Sequence, residues 1–505
     1  MTEPTPPSGQ DTPSLPDQML QRRRKLDELR AAGVDPFGSR VDGLTSTAAA
    51  REAYAAGGEG AELRATLAGR LTAMRLMGKS VFADLKDGTG RLQLYVQANA
   101  LGEEAFAAFK RLDLGDIVTV DGTVFTTRMG EVTLKVEHYR LLAKALRPLP
   151  EKWHGLTDTE QRYRQRYLDL IGNDEARAVF ARRFAVIREI RRYLDERGFI
   201  EVETPMLQPI PGGAMARPFE TYYNALDCAM YLRIAPELYL KRLLVGGFER
   251  VYELNRNFRN EGLSRRHNPE FTMLEVYQAY SDCAGMMDLV EGLITTVAQN
   301  VLGTLAVRSG DGVEISLARP WRRATYAELV QERMGTEWPG LPLPEKRARA
   351  RAAGLDIPDA LPELEITHEV YEKLIERTLQ APTFVTRLPA ALVPLAKRCP
   401  DDESVVDVFE LEIGGQEIAP GYSELNDPLE QRRRFQEQAR RTAGTAEEQS
   451  GRIDEDFLVA LEHGMPPAGG MGLGIDRLVM LLTGAASIRD VILFPQMRAA
   501  QPKVP

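Results

Sequence analysis

This 505-residue chain has little cysteine and no long hydrophobic run. Its three cysteines lie far apart and form no Cys-x-x-Cys pair, so we expect neither a disulfide framework nor a zinc site. No apolar run approaches the roughly 18 residues that a membrane-spanning helix needs. The N-terminus lacks the basic and apolar regions of a signal peptide, and its Pro, Ser, Thr and Gln content predicts a disordered tail. A reducing, cytoplasmic location fits these features best.

The charge balance excludes one class of partner and leaves another open. A net charge of −9 argues against indiscriminate coating of nucleic acid. Basic patches at residues 22–25 and 162–166 could still contact a folded RNA. Solvated helix faces would show the same residues, so both interpretations remain open.

Composition and hydrophobic periodicity divide the chain into four parts. We predict a tail over 1–20, a helix with a small β domain over 21–147, a hinge over 148–175 and a larger α+β domain over 176–505. Residues 319–400 of the larger domain are predicted to form a partly helical insertion. An apolar content of 43% supports well-filled cores in both domains.

The small domain has the strand order of an OB-fold β-barrel. Five β-rich runs lie between residues 63 and 142, and a helical piece separates the third run from the fourth. Glycine-containing pairs, Asp121–Gly122 among them, are predicted as hairpin turns. An exposed face with Phe82 beside Gln93 would suit one unstacked base. A core Phe and a surface Gln are the alternative.

The segment after Phe258 combines arginines, acids, a histidine and an aromatic in a strand–loop–strand pattern. Arg259 can lie across an α-phosphate, and His267 or Arg265 can reach the outer phosphates. Phe271 can stack on a purine. These residues can hold a nucleoside triphosphate without a glycine-rich phosphate loop, although a charged hairpin with one core Phe would look similar.

Acidic residues complete the candidate site. Glu261 and Glu275 could read amino groups. Glu410 and Glu417 lie seven residues apart in a strand–Gly-Gly–strand pattern, and paired carboxylates near a triphosphate usually bind Mg²⁺. A surface hairpin with two acids is the alternative for this pair.

A glycine-rich strand precedes the last helix of the chain. Gly470, Gly472 and Gly474 allow close backbone approach to a flat group, and Arg477 at the helix start could stack over a purine or hold a phosphate. No Ser/His/Asp or Cys/His set suggests a protein nucleophile. Tight packing with a surface arginine is the alternative.

Together, these pieces resemble the three signature motifs of class II aminoacyl-tRNA synthetases. The motifs are a helix and strand ending at Pro205, the loop from Arg259 with His267 and Phe271, and the run from Gly472 to Arg477. An N-terminal OB barrel narrows the resemblance to the synthetases for lysine, aspartate or asparagine. The flanking segments are similar to those of bacterial lysyl-tRNA synthetases, and they are residues 147–152, 162–170, 212–214, 235–241, 421–427 and 489–495.

The resemblance implies a six-stranded antiparallel catalytic sheet flanked by helices, a homodimer, and ATP-dependent formation of lysyl-adenylate followed by transfer to tRNA(Lys). It implies Mg²⁺, up to three ions per active site, bound with ATP through Glu410 and Glu417. The implied ATP-binding residues are Arg259, Glu261, His267, Asn268, Phe271, Glu410 and Arg477, of which Arg259 and Arg477 are catalytic. The implied lysine-binding residues are Gly213, Glu237, Arg259, Glu275, Tyr277, Tyr422 and Glu424. The implied anticodon-binding residues are Phe82, Gln93 and Glu131.

The chain departs from the family pattern beside the expected lysine pocket. Pro420 stands where the family has an asparagine that helps to hold the substrate carboxylate, and Ala419 replaces a glycine. Proline offers neither a side-chain donor nor an N–H group. We therefore expect lysine to bind through Arg259, but more weakly. An aspartyl- or asparaginyl-type enzyme and a catalytically silent RNA-binding relative are the competing interpretations.

Overall fold

The protein is described by a computed structural model that covers residues 14–58, 62–150, 158–442 and 451–499. The chain divides into two compact units, residues 1–156 and 157–505. In the described ranges, no helix is both long enough and apolar enough to cross a membrane.

The first unit is a closed five-stranded barrel with added helices. Around the barrel the strand order is β1-β2-β3-β5-β4, which is the predicted OB arrangement. In chain order its described elements are α1 (Leu15–Ala31), α2 (Thr47–Ala56), β1 (Leu63–Met77), β2 (Ser80–Lys86), β3 (Arg91–Gln97), α3 (Ala98–Leu101), α4 (Glu103–Lys110), β4 (Ile117–Thr126) and β5 (Val132–Ala143).

Closure of the barrel explains two differences between the predicted strands and the observed ones. β1 extends well beyond the strand that the sequence predicts over 65–70, because its first half pairs with β4 and its second half with β2, across a bulge near Leu71. The predicted hairpin turn at Asp121–Gly122 is wrong, since both residues lie inside β4 at a second bulge. A Cβ on Gly122 would come within 1.9 Å of the Lys135 carbonyl oxygen, so glycine there serves close strand approach.

Helix α1 begins inside the predicted tail, so that prediction does not hold from Leu15 onward, and residues 1–13 lie outside the described ranges. Ser14 caps the helix by accepting the backbone N–H of Asp17. The buried Arg22 donates to the carbonyl oxygens of Leu114, Ala145 and Arg147. Arg22, one residue of the predicted basic patch, therefore fastens the helix to the barrel.

The second unit is built on one large sheet. Its helices are α5 (Thr159–Arg164), α6 (Arg166–Gly172), α7 (Asp174–Asp195), α8 (Glu237–Val245), α9 (Cys283–Leu302), α10 (Tyr326–Met334), α11 (Leu343–Ala352), α12 (Glu363–Val370), α13 (Pro428–Thr442), α14 (Glu455–Glu462), α15 (Ile475–Thr483) and α16 (Ile488–Val491), with a π-helical turn at Tyr371–Ile375 and 3₁₀ turns at Trp338–Gly340 and Glu376–Thr378. Its strands are β6 (Ile200–Glu201), β7 (Leu207–Gln208), β8 (Phe219–Tyr223), β9 (Cys228–Leu232), β10 (Arg250–Phe258), β11 (Glu270–Ala279), β12 (Ala306–Arg308), β13 (Glu314–Ser316), β14 (Arg322–Thr325), β15 (Thr383–Thr386), β16 (Arg398–Cys399), β17 (Asp402–Val406), β18 (Val408–Glu412), β19 (Glu417–Ser423) and β20 (Ala468–Gly474).

The large sheet has the order β14-β15-β18-β19-β20-β11-β10-β6. Its six central strands are mutually antiparallel, as expected, and a short parallel strand is added at each edge. Helices α7, α9 and α15 bury their apolar side chains against one face of this sheet. The opposite face is therefore available for a site.

Two predicted boundaries differ from the structure. The predicted hinge contains helices α5 and α6, and the division between the units falls at residue 156. Strands β14 and β15 belong to the large sheet, so the helical insertion is confined to the crossover between them. Four-residue strands inside a charged, helix-rich segment give too little periodicity to be recognised.

A buried ion pair joins α7 to the start of α15. Arg183 donates to Asp476 Oδ1 at 2.5 Å and to Thr272 Oγ1 at 3.0 Å. Asp476 Oδ2 accepts the backbone N–H of Thr272 at 2.8 Å. The carboxylate thereby fixes the first turn of α15 against β11.

We expect Arg183→Met to lower the free energy of unfolding by about 3–5 kcal/mol, because Asp476 would keep a buried charge without its partner. Arg191→Met on the same helix removes a solvent-exposed pair with Glu201 and should cost less than about 1 kcal/mol. Urea titrations of both variants measure the difference. Equal losses would contradict this interpretation of the Arg183–Asp476 pair.

Candidate active site

A cavity of about 290 Å³ opens on the free face of the large sheet, among β11, β19 and the start of α15. Its walls contain most of the residues assigned to ATP, namely Arg259, Glu261, His267, Asn268, Phe271 and Arg477. Glu417 and Pro420 also line it, whereas Glu410 does not. The two arginines singled out in the sequence therefore face one enclosed space.

Strand alternation places these side chains. On β11, Leu274 and Val276 point into the helical core, while Phe271, Met273, Glu275 and Tyr277 belong to the opposite face. The Arg259 guanidinium lies 5.1 Å from the Phe271 ring centroid. Its Nε is buried and has no hydrogen-bond partner among the described residues. A flat cation and an aromatic ring thus form one wall, with a donor still available.

Arg477 forms the facing wall. Its NH1 group donates to the Glu417 carbonyl oxygen at 2.7 Å, and its NH2 group lies 3.2 Å from His267 Nε2. Because a guanidinium only donates, Nε2 is the acceptor, so the ring proton sits on Nδ1, 2.9 Å from Ser264 Oγ. Burial and the nearby Arg477 cation lower the pKa of His267. The hydrogen bond from Arg477 and the lowered pKa therefore both oppose a second proton on this imidazole.

The loop that carries His267 is tied to the opposite hairpin. Arg266 donates to the Gly415 carbonyl oxygen at 3.0 Å and lines the cavity, whereas Arg265 is not among the lining residues. Of the two alternatives for the outer phosphates, His267 rather than Arg265 faces the space. Arg266 was missed because adjacent arginines in a loop cannot be told apart by sequence.

Strand β18 carries a cluster of carboxylates next to the cavity. Glu410 and Glu412 lie on the face opposite to the core residues Phe409 and Leu411. Burial, together with the nearby Glu417 and Glu376 carboxylates, raises the pKa of Glu410 to about 8. The same causes raise the pKa of Glu412 to about 10, and its Oε2 has no partner among the described residues. This region therefore buries more carboxyl groups than it has cations to pair with them.

These carboxylates fit a divalent cation better than any protein partner. Among the described residues, no three His, Cys, Asp or Glu side chains are close enough to hold a metal ion by themselves. Mg²⁺ commonly takes only one or two carboxylates and completes its shell with water and phosphate oxygens. Glu410 and Glu417 match that requirement, because they are two hard oxygen donors in a region where carboxyl groups outnumber cations.

A second group of polar residues is buried between α8 and the strands β11 and β19. The Glu237 carboxylate accepts the Tyr422 hydroxyl at 2.8 Å, and Glu275 accepts the Tyr277 hydroxyl at 3.1 Å. Glu424 is buried; its Oε2 lies 2.5 Å from the Lys241 ammonium, and its Oε1 has no hydrogen-bond partner among the described residues. The predicted lysine-binding acids therefore meet in one buried pocket.

Glycines make room for this pocket. A Cβ on Gly470 would lie 1.9 Å from Glu424 Oε1, and one on Gly472 would lie 2.3 Å from the Met273 methyl group. Gly213 has φ +85° and packs against the start of α8, where a Cβ would come 3.0 Å from the Glu237 Cβ. The predicted close approach at Gly470 and Gly472 thus serves side chains of the pocket.

Burial shifts the titration of the pocket acids. It raises the pKa of Glu275 to about 8, and the Glu237 carboxylate adds to the shift. It also raises the pKa of Glu424 to about 8, against the opposing effect of the Lys241 cation. Buried carboxyls in such surroundings need a cation before they ionise at neutral pH.

On the barrel, the three assigned residues lie near one another on β2, β3 and the turn before β5. Phe82 stacks at 4.8 Å on Tyr95, which the sequence analysis missed, and Tyr95 is 6.1 Å from Phe125. Gln93 accepts the Thr133 hydroxyl at 3.0 Å. Glu131 is 3.1 Å from the Arg91 guanidinium. A row of aromatic rings therefore runs beside polar groups on the barrel surface.

Comparison with known proteins assigns both units. A family model described as tRNA synthetases class II (D, K and N) matches residues 158–498. A model described as OB-fold nucleic acid binding domain matches residues 65–142.

Relatives match nearly the whole chain. The lysine–tRNA ligase of Pelotomaculum thermopropionicum is 52% identical over 488 residues, which cover 96% of this chain and 95% of the relative. That of Moorella thermoacetica is 53% identical and covers 95% and 98%, respectively. That of Enterococcus faecalis is 51% identical and covers 96% and 98%.

Proposed function

Because the chain belongs to the class II tRNA synthetases of the aspartate, lysine and asparagine group, we propose that it activates lysine with ATP and transfers it to tRNA(Lys). The observation that carries the choice of lysine is the buried pocket with Glu237, Glu275 and Glu424. An ammonium on a four-carbon stem requires carboxylate and hydroxyl acceptors at the end of its pocket. An aspartate or asparagine side chain would instead require cationic or amide groups.

In the first step, the lysine carboxylate attacks the α-phosphorus of ATP, and the bond to the bridging oxygen of pyrophosphate breaks. The carboxylate is already a nucleophile at neutral pH, so the protein has to position and stabilise charge rather than remove a proton. Arg259 would bridge the substrate carboxylate and the α-phosphate, and its buried Nε, which has no partner among the described residues, supports this role. In the second step, a terminal ribose hydroxyl of tRNA attacks the carbonyl carbon of lysyl-adenylate and releases AMP.

The remaining cavity residues bind ATP. Phe271 stacks on the adenine ring, Glu261 and Asn268 supply polar contacts to the nucleotide, and Arg477 with His267 holds the outer phosphates. The phosphate charge favours the protonated imidazole, which can then donate. Glu410 and Glu417 would hold Mg²⁺, which neutralises phosphate charge when it is bound. The raised pKa of Glu410 supports this assignment, because a nearby cation would stabilise the ionised carboxylate and lower that pKa.

Different parts of the lysine pocket bind the two amino groups of the substrate. The free oxygen of Glu237 and the backbone at Gly213 receive the α-ammonium. Glu424, Glu275 and Tyr277 receive the ε-ammonium, and Tyr422 packs beside the stem while it orients Glu237. A site built on buried polar partners rejects side chains that cannot pair with it by factors of about 10⁴–10⁵.

Exposed surfaces are consistent with two further partners, a second subunit and tRNA(Lys). Large apolar side chains are exposed along α7, β6 and β8, among them Phe184, Ile200, Tyr222 and Tyr223. A homodimer that buries this face would remove an apolar patch from water. The barrel face with Phe82, Gln93 and Glu131 would bind the anticodon of tRNA(Lys), since aromatic rings stack on bases and the polar groups read their edges. We place the enzyme in the cytoplasm, where translation occurs.

Amino-acid-dependent ATP–pyrophosphate exchange tests the reaction directly. We expect exchange with lysine alone among the standard amino acids, and a loss of about 10²–10³-fold in kcat/KM for Arg259→Met. Arg256→Met, on β10 three residues before Arg259 but in an exposed pair with Glu270, should change exchange by less than about twofold. Exchange with aspartate or asparagine, or none with any amino acid, would reject the proposal.

Lysine binding should release protons at pH 7. Because the pKa of Glu275 is about 8, its carboxyl is protonated at pH 7, whereas an ammonium group binds its ionised form. Lysine affinity should therefore rise as pH increases from 6 to 8 and level off above that, with release of about one proton at pH 7. Calorimetric titration in buffers of different ionisation enthalpy measures the protons, and a pH-independent dissociation constant would contradict this account.

Pro420 should weaken lysine binding. It borders the cavity beside Glu417 and supplies no donor to the substrate carboxylate. We expect Pro420→Asn to tighten lysine binding about 3–10-fold, the effect of one added hydrogen bond. Pro420→Ala, which restores only the backbone N–H, should not do so. Titration calorimetry with lysine and separately with ATP checks that the gain is confined to lysine, and an equal gain in the alanine variant would contradict the explanation.

A further inference from the structure

Lys241 is a fully buried cation inside the proposed lysine pocket. It lies on α8 one turn after Glu237 and is completely enclosed. Its Nζ atom is 2.7 Å from Glu237 Oε1 and 2.5 Å from Glu424 Oε2. It also lies 5.7 Å from the centroid of the Tyr422 ring. One resident ammonium therefore bridges two of the carboxylates assigned to the substrate.

This bridge leaves particular oxygens for a ligand. On Glu237, the Lys241 ammonium and the Tyr422 hydroxyl both contact Oε1, so Oε2 remains the acceptor for an incoming donor. On Glu424, Lys241 lies at Oε2, while Oε1 packs closely against Gly470 and has no donor among the described residues. Lys241 thus determines which oxygen of each carboxylate is left to accept a hydrogen bond from a substrate.

The charges of the occupied pocket balance only if Lys241 is counted. Free lysine brings two ammonium groups, and its carboxylate is directed to Arg259. With Lys241 there are three ammonium groups for the three carboxylates Glu237, Glu275 and Glu424. Without Lys241, one buried carboxylate would lack a cation and would have to keep a proton, which removes an acceptor from the substrate.

We propose that Lys241 is a specificity-determining positioning residue, which orients Glu237 and Glu424 and sets the pocket charge to match the two ammonium groups of lysine. This inference deepens the proposed function and rests on it. Lys241 contacts no part of the ATP cavity, so its effect is expected on lysine and not on ATP. A purely structural role, in which the side chain only packs α8 against β19, makes a different prediction.

The test compares Lys241→Met with Lys346→Met. Methionine keeps an unbranched side chain of similar length without the charge. Lys346 is also buried and ion-paired, with Glu363, but lies in the helical crossover outside the pocket. For Lys241→Met we expect the KM for lysine in ATP–pyrophosphate exchange to rise at least about 30-fold, while the KM for ATP and kcat change less than about threefold. Lys346→Met should leave all three within about twofold.

A pH profile separates charge from packing. The groups facing Lys241 are Glu237 on its own helix, Glu424 directly after β19 and the Tyr422 ring, while Glu275 and Tyr277 on β11 adjoin the same carboxyls. Loss of the Lys241 cation should move the pH at which lysine binding levels off upward by about one unit. An unchanged profile, or an unchanged KM for lysine in a folded Lys241→Met protein, overturns the proposal.

Chemical rescue covers the case in which Lys241→Met does not fold. Lys241→Ala leaves a space of the length of propylammonium. Propylammonium should lower the KM for lysine, or raise the melting temperature, of the alanine variant more than 1-propanol does. Equal rescue by both compounds overturns the proposal. The two levels of inference stay separate, because the proposed function fails if the wild-type enzyme shows no lysine-dependent exchange, whereas this inference fails if the wild type exchanges but the variants keep its lysine KM.

Discussion

The burial of carboxyl groups that can ionise only beside a cation is the constraint on which the second unit depends. Glu275, Glu410, Glu412 and Glu424 are withdrawn from water on the open face of one sheet, and each has a pKa raised far above that of a free carboxyl. Burial of this kind opposes folding unless cations arrive. The fold supplies part of the requirement through Lys241, Arg259 and Arg477. Under the proposed function the substrates would supply the rest, and binding would then accompany charge neutralisation.

An antiparallel sheet is well suited to this arrangement. Alternate residues of β11, β18 and β20 enter the apolar core beneath α7, α9 and α15, and the intervening residues stand on the reactive face. Adjacent strands bring residues from distant parts of the sequence together at fixed spacing, as at Glu275 opposite Gly472. Small residues on one strand then leave space for large polar side chains on the next.

Predictions from the sequence agreed with the structure where residue type and residue spacing pointed to the same feature. The barrel order followed from short strands with period-two patterns, and the meeting of Arg259, Phe271 and Arg477 at one cavity followed from motifs in which they stand at recognisable positions. They failed where long-range geometry decides. The bend of β1, the two-residue and four-residue edge strands and the bulge at Gly122 depend on contacts across the barrel or sheet. Lys241 escaped notice because a lysine four residues after a glutamate usually marks a solvated helix face.

The ion pair between Arg183 and Asp476 has a consequence for assembly. Arg183 is buried, whereas the next residue, Phe184, is half exposed on the outer side of α7. Asp476 precedes Arg477 at the start of α15. One ion pair and two covalent neighbours therefore separate the exposed side of α7 from the Arg477 guanidinium, so packing on Phe184 bears on the helix that holds the start of α15 in place.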